Sequence, residues 1–449
     1  MSYETAIARM YALGHELANT PSQKFDLAHM RVLLAALGHP EQRVRSVLIA
    51  GTNGKGSTAA TLATILRTSG LRTALYTSPH LIRINERIQI NGVPISDDDF
   101  ALLHDVVDRT AERLVSEGDL PWHPSFFEML TAMAFEYFAR QRIEIAVLEV
   151  GMGGRLDATN VIDPLVSVIT DISLDHQKFL GSTVAEIARE KAGIIRAGGV
   201  VVTLPQQPQA NDVIGNAIMD LGARGVSAVP YVPPVSPASA RFQTVQETEF
   251  LSRYPLSVMG KEILVESPLA GRHQLRNLAL AIATAEELSK QGFLITPESI
   301  ERGIRETRWP GRFQVIPANA DLPEYVLDVA HNPAGAWALR STLSAYYEDR
   351  TFTLIFGAMR DKAIGEIAEI LFPLAERVIV TRADNPRSAT AEEIRQAASR
   401  TSVEIVEAPD VRSALRMKTS SLVVVTGSIY IVGEAMQVLQ PRSQSRKPA

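Results

Sequence analysis

The stretch Val47–Thr58 constrains this chain more than any other. Val47-Leu48-Ile49-Ala50 is a short apolar run that reads as a buried strand, and Thr61-Leu62-Ala63-Thr64-Ile65-Leu66 carries a helical pattern. Gly51-Thr52-Asn53-Gly54-Lys55-Gly56-Ser57-Thr58 therefore falls on a strand-to-helix turn. Such a turn aims backbone N–H groups at an anion and places it at the positive end of a helix dipole. Lys55 adds a cation, and Ser57 or Thr58 offers a hydroxyl to a metal ion. An ordinary glycine turn needs none of Lys55, Gly56 and Ser57. Their presence in this context points to a bound nucleotide.

Around the loop, strands and helices alternate. Residues 4–19 and 26–37 read as helices, and only about fifty residues precede the loop, too few for a complete domain. Arg72–Thr77, Ile88–Ile90, Ile143–Val150 and Val166–Thr170 read as strands, with helices near 97–115 and 125–140. This alternation predicts a parallel sheet covered on both faces. Between about 205 and 258 the pattern weakens, and the proline-rich run 229–237 predicts surface loop with irregular strands. A helix near 273–290 leads to Arg308-Trp309-Pro310-Gly311-Arg312, which reads as an interdomain joint. Beyond it, strands at Tyr325–Val329, Thr353–Phe356, Arg377–Thr381 and Leu422–Val425 alternate with helices starting near Pro333, Ala363, Ala391 and Ser428. The expected architecture is α/β: a parallel-sheet ATPase domain carrying the phosphate loop (1–311), then a smaller Rossmann-like α/β domain (312–449) with a frayed polar tail.

Composition narrows the partners. At 449 residues, two or three domains are expected. A net charge of −5 gives neither nucleic acid nor an anionic membrane surface a reason to bind, which leaves small molecules. The chain has no cysteine, which excludes disulfides, thiolate zinc sites and cysteine nucleophiles and fits a reducing compartment. No leader pattern or bilayer-length apolar run is present, so a cytoplasmic location is expected.

Ligands of open parallel sheets bind beyond the carboxyl ends of the strands. Glu149 ends one strand, before Gly151-Met152-Gly153-Gly154-Arg155-Leu156-Asp157-Ala158-Thr159-Asn160, and a carboxylate beside a phosphate loop suits Mg²⁺. Asp171, Asp175 and His176 follow the next strand. Lys191 falls on the apolar face of a helix defined by residues 184, 187, 188 and 194. A lysine there must be paired, snorkel, or be held neutral. On the pattern alone the snorkelling reading prevails; a neutral amine could instead add CO₂ and act as a carboxylate-like carbamate. Asp328 and His331 lie at a strand end in the second unit, where an acid could take ribose hydroxyls and an imidazole could reach a phosphate, beside a helix opened by Asn332 and Pro333.

Taken in order, Gly51–Thr58, Thr77-Ser78-Pro79-His80-Leu81, Glu149–Asn160, Leu174-Asp175-His176-Gln177, Glu190-Lys191-Ala192-Gly193-Ile194, His273-Gln274, Trp309-Pro310-Gly311-Arg312 and Asp328–Pro333 resemble the folylpolyglutamate synthase and dihydrofolate synthase family of the Mur ligase superfamily. The resemblance covers nearly the whole chain and implies roles for matching positions. Thr52, Asn53, Gly54, Lys55, Gly56, Ser57 and Thr58 would hold ATP, with Asn277, Arg312, Asp328 and His331 completing the nucleotide site. Two Mg²⁺ ions are implied, one on Ser78 and Glu149, the other on Glu149, His176 and a carbamylated Lys191. The pterin end of a folate would lie near Leu27, Phe126, Asp157 and Ala158. Leu278 departs from the alanine more usual after Asn277.

The implied reaction is ATP-dependent joining of L-glutamate to dihydropteroate, to folate polyglutamates, or to both, through an acyl phosphate, by a monomeric enzyme. Lys55, His331 and Lys191 are the implied catalytic groups. A folylpolyglutamate synthase of single function is the alternative. Asp384-Asn385-Pro386-Arg387 resembles the amino-acid pocket of a cell-wall Mur ligase, but those enzymes carry a further N-terminal domain. Another P-loop ATPase or kinase leaves the second α/β unit and Lys191 unexplained.

Overall fold

The computed structural model describes residues 1–14, 26–234, 250–320 and 322–439. The first unit is built on eight strands: β1 (Ser46–Ala50), β2 (Thr73–Tyr76), β3 (Ile88–Ile90), β4 (Val93–Pro94), β5 (Ile145–Glu149), β6 (Val166–Ile169), β7 (Val200–Thr203) and β8 (Arg224–Ser227). Their order is β4-β3-β2-β5-β1-β6-β7-β8, parallel from β2 to β8, with β3 and β4 added antiparallel at one edge. β1 lies at the centre, pairing Ile49 with Glu149 of β5 on one side and with Val168 of β6 on the other.

The period-two alternation of β1 divides the core. Leu48 and Ala50 face one layer, packed by the helices Tyr3–Ala12, Leu27–Ala36, Asp97–Glu117 and Phe126–Arg140. Val47 and Ile49 face the other, packed by Lys55–Thr68, Arg272–Lys290 and Pro297–Glu306. A hairpin of β9 (Ser252–Val258) and β10 (Lys261–Ser267), turned through Met259 and Gly260 at positive φ, closes that second layer. Helix Pro297–Glu306 lies so close to Lys55–Thr68 that a Cβ on Gly303 would stand 2.5 Å from the Ile65 Cα. Gly303→Ala is therefore expected to destabilise the protein by about 1–3 kcal/mol through overpacking, read as a lower urea midpoint at unchanged slope.

The second unit carries β11 (Gln314–Ile316), β12 (Glu324–Leu327), β13 (Thr353–Phe356), β14 (Arg377–Val380), β15 (Glu404–Glu407) and β16 (Leu422–Thr426), ordered β11-β12-β16-β13-β14-β15. Only β11 is antiparallel. Helices Pro333–Tyr346, Ile364–Leu371 and Ala391–Ala397 lie on one face, and Val411–Arg416 and Ile429–Leu439 on the other. The segment Leu81–Ile82 of the first unit packs into that second face, and a side chain on Gly433 would collide with the Leu81 carbonyl.

The expected surface loop with irregular strands over 205–258 is corrected over its described part, residues 205–234 and 250–258. β7, the helix Pro208–Asp220 and β8 continue the alternating pattern, and β9 and β10 follow. The helix buries only Ala210 and Ile214, and β8 is a largely exposed edge strand containing Gly225, so neither has a strong apolar period. The helix expected over 4–19 is described as Tyr3–Ala12, its remainder from residue 15 lying outside the described residues, as do 235–237 of the proline-rich run and the tail 441–449. Among the described residues no helix is long and apolar enough to cross a membrane.

Candidate functional site

The carboxyl ends of the central strands of both sheets converge on one cleft. β1 delivers the phosphate loop, β2 Ser78, β5 Glu149, β6 Asp171 through His176, β12 Asp328 and His331, and β13 Lys362. In the loop, Gly54 takes φ 91° at the N-cap of Lys55–Thr68, and a Cβ there would run into the Asn277 amide oxygen, so glycine is required on both counts. The Thr52 and Asn53 N–H groups donate to the Asp171 carbonyl at 2.9 and 3.1 Å, which fixes the turn. The anion-facing amides are therefore those opening the helix. Lys55 Nζ folds back to the Thr52 carbonyl at 3.3 Å, at the mouth of the cleft.

This cleft, about 530 Å³, is lined by Thr52, Asn53, Gly54, Lys55, Gly56, Ser57, Ser78, Glu149, His176, Lys191, Asn277, Arg312, Asp328 and His331. Thr58 is the exception among the expected nucleotide residues: it is fully buried, its hydroxyl turned toward the Asn277 carbonyl. Asn277 is buried and held by Gln274, its Nδ2 donating to Oε1 at 2.8 Å.

Glu149 is buried, and its carboxylate accepts one hydrogen bond, from Ser78 N at 3.3 Å. Burial pushes its pKa up, against the pull of Lys55 and Arg312. A desolvated carboxylate so thinly compensated is chemically fitted to a hard cation. His176 has its pKa lowered to about 4 by burial and the neighbouring Lys362, so its imidazole is neutral at physiological pH and able to ligate. Among the described residues no three His, Asp or Glu side chains are grouped to hold a metal on their own, so ions here would need Ser78, Lys191 or substrate phosphates as further donors.

Lys191 does not snorkel. It is 4% exposed, and its Nζ donates at 2.8 Å to the carbonyl of Gly51, the first residue of the phosphate loop. Burial, aided by Lys55, lowers its pKa to about 7. The amine is thus substantially neutral near pH 7 and points into the cleft.

On the second unit's side, Asp328 is buried, its carboxylate accepting from Phe313 N and Ala330 N at 2.9 Å each; burial raises its pKa, with Arg312 opposing. Burial lowers the Arg312 pKa while Asp328 and Glu149 hold its charge. His331 Nδ1 lies 2.9 Å from the Val329 carbonyl, which leaves Nε2 facing the cleft.

A second cavity of about 720 Å³ adjoins the first and is lined by Leu27, Phe126, Asp157 and Ala158 with Met30, Trp122 and Phe127. Asp157 sits at its wall rather than free within it: its carboxylate accepts from Met152 N, Thr159 N and the Thr159 hydroxyl, which organises the loop 151–160. The two cavities share Ser78, Gly151, Met152, His176, Arg312 and His331.

Sequence reasoning missed Arg276, which grips the Asp171 carboxylate with Nε and Nη2 at 2.5–3.0 Å and so braces the loop that Asp171 anchors. It also missed Lys362, whose Nζ donates to Asp175 Oδ1 at 2.7 Å. Lys362 follows a parallel strand, the same rule that found Glu149 and Asp328.

Known proteins agree with this geometry. The Mur ligase middle domain family matches residues 49–285, and the Mur ligase glutamate ligase domain family matches 311–429. A dihydrofolate synthase/folylpolyglutamate synthase of Bacillus subtilis is 34% identical over 92% of this chain and 95% of its own. The folylpolyglutamate synthase of Lacticaseibacillus casei is 34% identical over 98% of this chain and 99% of its own. A solved folylpolyglutamate synthase–AMPPCP–folate complex superposes with a TM-score of 0.78 at 31% identity, over 98% of this chain and all of that one. With its phosphate loop facing a second α/β unit across one cleft, the chain belongs to the folylpolyglutamate synthase and dihydrofolate synthase family of Mur ligases.

Proposed function

We propose that the protein joins L-glutamate to a pterin carboxylate, using ATP, and that it accepts both dihydropteroate and reduced folates. The observation that carries this reading is the continuity of the two cavities: the phosphate cleft opens through Ser78, His176, Arg312 and His331 into an apolar chamber of the size small-molecule sites have. The relatives named for these activities support the choice of substrates.

In the proposed sequence, a carboxylate oxygen of the pterin substrate attacks the γ-phosphorus, the bond to the β-bridging oxygen breaks and ADP leaves. The neutral glutamate amine then attacks the acyl phosphate carbon, and phosphate departs with the C–O bond electrons and takes up the proton that the amine loses. The protein contributes position and charge. Loop amides and Lys55 hold the phosphates, Arg312 and His331 approach from the other unit, and Asp328 takes the ribose. Ser78, Glu149, His176 and a carbamylated Lys191 would hold two Mg²⁺ ions, which when bound neutralise charge on the transferring phosphoryl group. Residues 1–311 supply the phosphate loop and the pterin site, and 312–449 the remaining nucleotide contacts and the glutamate side. The enzyme is read as a cytoplasmic monomer.

The deciding assay follows phosphate release from ATP with L-glutamate and either dihydropteroate or tetrahydrofolate. Turnover with both is expected. With one alone, the enzyme is of single function; with neither, the folate reading falls.

The lysine adds a pH and bicarbonate dependence. A base whose pKa is lowered to about 7 is neutral above that value, and only the neutral amine adds CO₂. In CO₂-depleted buffer above pH 7 activity should fall, and bicarbonate should restore it. Activity indifferent to bicarbonate at every pH would remove the carbamate from the account.

A further inference from the structure

The two units touch through unlike surfaces. One contact is apolar, Leu81 and Ile82 against the second core, and lies beside the covalent joint at Gly311. The other is polar and spans the cleft. Asp175, on the loop after β6, receives Lys362 Nζ at 2.7 Å and Asn332 Nδ2 at 3.2 Å, and His331 Nε2 stands 3.6 Å away. All three come from the second unit. Asn332 also donates to the Asn53 side chain of the phosphate loop at 3.0 Å. The Asp175 and Lys362 side chains are each only 9% exposed, so the pair works in a low dielectric where its geometry matters.

Each partner is itself held. Asp175 Oδ1 caps the His176 N–H at 2.8 Å, and Lys362 N donates to the Met359 carbonyl in a loop bridged to Ser388. A fixed anion on one unit thus gathers a cation, an imidazole and an amide from the other, directly over the phosphate loop.

We propose that Asp175 is a positioning residue for the ligase reaction, aligning Lys362 and His331 of the second unit over the phosphate loop of the first. Its kinetic part rests on the ligase reading above; its conformational part does not. A closed cleft requires the two units to keep one register, and Asp175 supplies it by ionic contacts on the side opposite the apolar hinge.

The test has two arms. Because the chain has no cysteine, Ser116→Cys and Ser399→Cys, both exposed and one on each unit, can carry spin labels without further changes. Without substrate, the doubly labelled protein should give one narrow distance distribution, and Asp175→Asn or Lys362→Met should broaden it. In turnover, each variant should lose at least about thirtyfold in kcat with the KM for ATP within about threefold, and the double variant should be no more than about threefold worse than the slower single one. Asp175→Glu, which keeps the charge, should recover part of the loss. An unbroadened distribution in both variants, additive kcat losses, or a single variant within threefold of the parent each overturns the proposal. Should Asp175→Asn not fold, Lys362→Met decides by the same distance measurement. A labelled parent that is narrow but inactive with every pterin sinks the ligase reading and leaves the alignment standing.

Discussion

Lys191→Ala should lower kcat by about 100-fold or more while the protein stays folded and binds an ATP analogue, because on the proposed reading the position supplies a ligand rather than a structural contact. The side chain is 4% exposed, reaches the Gly51 carbonyl and has its pKa lowered to about 7. A buried amine with one neutral acceptor is a poor stabiliser, since its charged form is desolvated without a close counter-ion. The same shift sets the sign for stability. A base with a lowered folded pKa loses stability as pH falls from its unfolded pKa toward the folded one. Lys191→Met, which keeps the apolar stem, should therefore be as inactive as the alanine variant and at least as stable at pH 6. Turnover and calorimetric binding of AMPPCP, measured on both variants, check this; a fully active Lys191→Met would reduce the lysine to packing.

Glu149→Gln should be comparably damaging to turnover, by about 10²–10³-fold, since on the proposed reading a neutral amide would hold a hard cation opposite the phosphates far more weakly than the carboxylate does. Its effect on stability has the opposite sign. Burial raises the Glu149 pKa above the unfolded value, so folding binds a proton more tightly there. Its contribution is fully present below the unfolded pKa and is lost as pH rises through the folded pKa, leaving a penalty at neutral pH. Removing the charge should make the metal-free variant more stable than the parent at pH 7, and the advantage should vanish in acid. A thermal scan of both proteins at pH 7 and pH 4 without divalent ions reads the crossover. A variant less stable than the parent at pH 7 would mean that the carboxylate is satisfied by the protein alone. Loss of activity with gain of stability is the expected mark of a site selected for function.

Much of the architecture could be read from particular residues. Val47–Ala50 is fully buried at the centre of its sheet, so its sequence is continuously apolar, and Gly54 and Lys55 open the helix where the loop pattern placed it. Val378 through Val380 and Leu354 through Phe356 were legible for the same reason. Edge elements were not. β8 exposes most of its residues and β15 half of them, with none fully buried in either, and a strand that buries little carries little apolar signal. Helix Pro297–Glu306 had a usable signal in Thr296, whose hydroxyl accepts from Ser299 N, and in Ile300 and Ile304 at helical spacing.

The site divides similarly. Strand-end carboxylates such as Glu149 and Asp328 follow from the rule for parallel sheets, and the place of Lys191 on an apolar helix face from helical period. The burial pattern could not say where the amine points, and its bond to Gly51 spans residues far apart in sequence. Arg276–Asp171 and Lys362–Asp175 were invisible because a pairing across more than a hundred residues leaves no local mark. Thr58 shows the opposite limit: its residue type fitted a metal hydroxyl, but its place in the first helical turn directs it inward.

Leu81 and Ile82 have a consequence for biogenesis. These residues leave the ribosome long before Tyr325, Val432 and the rest of the surface that covers them has been made. During that interval the nascent chain must carry an apolar corner in water, beside a β-sheet already able to form. A fragment ending at residue 311 should therefore be sticky and lean on chaperones, whereas co-expression with 312–449 should rescue its solubility, the two pieces finding each other through that corner.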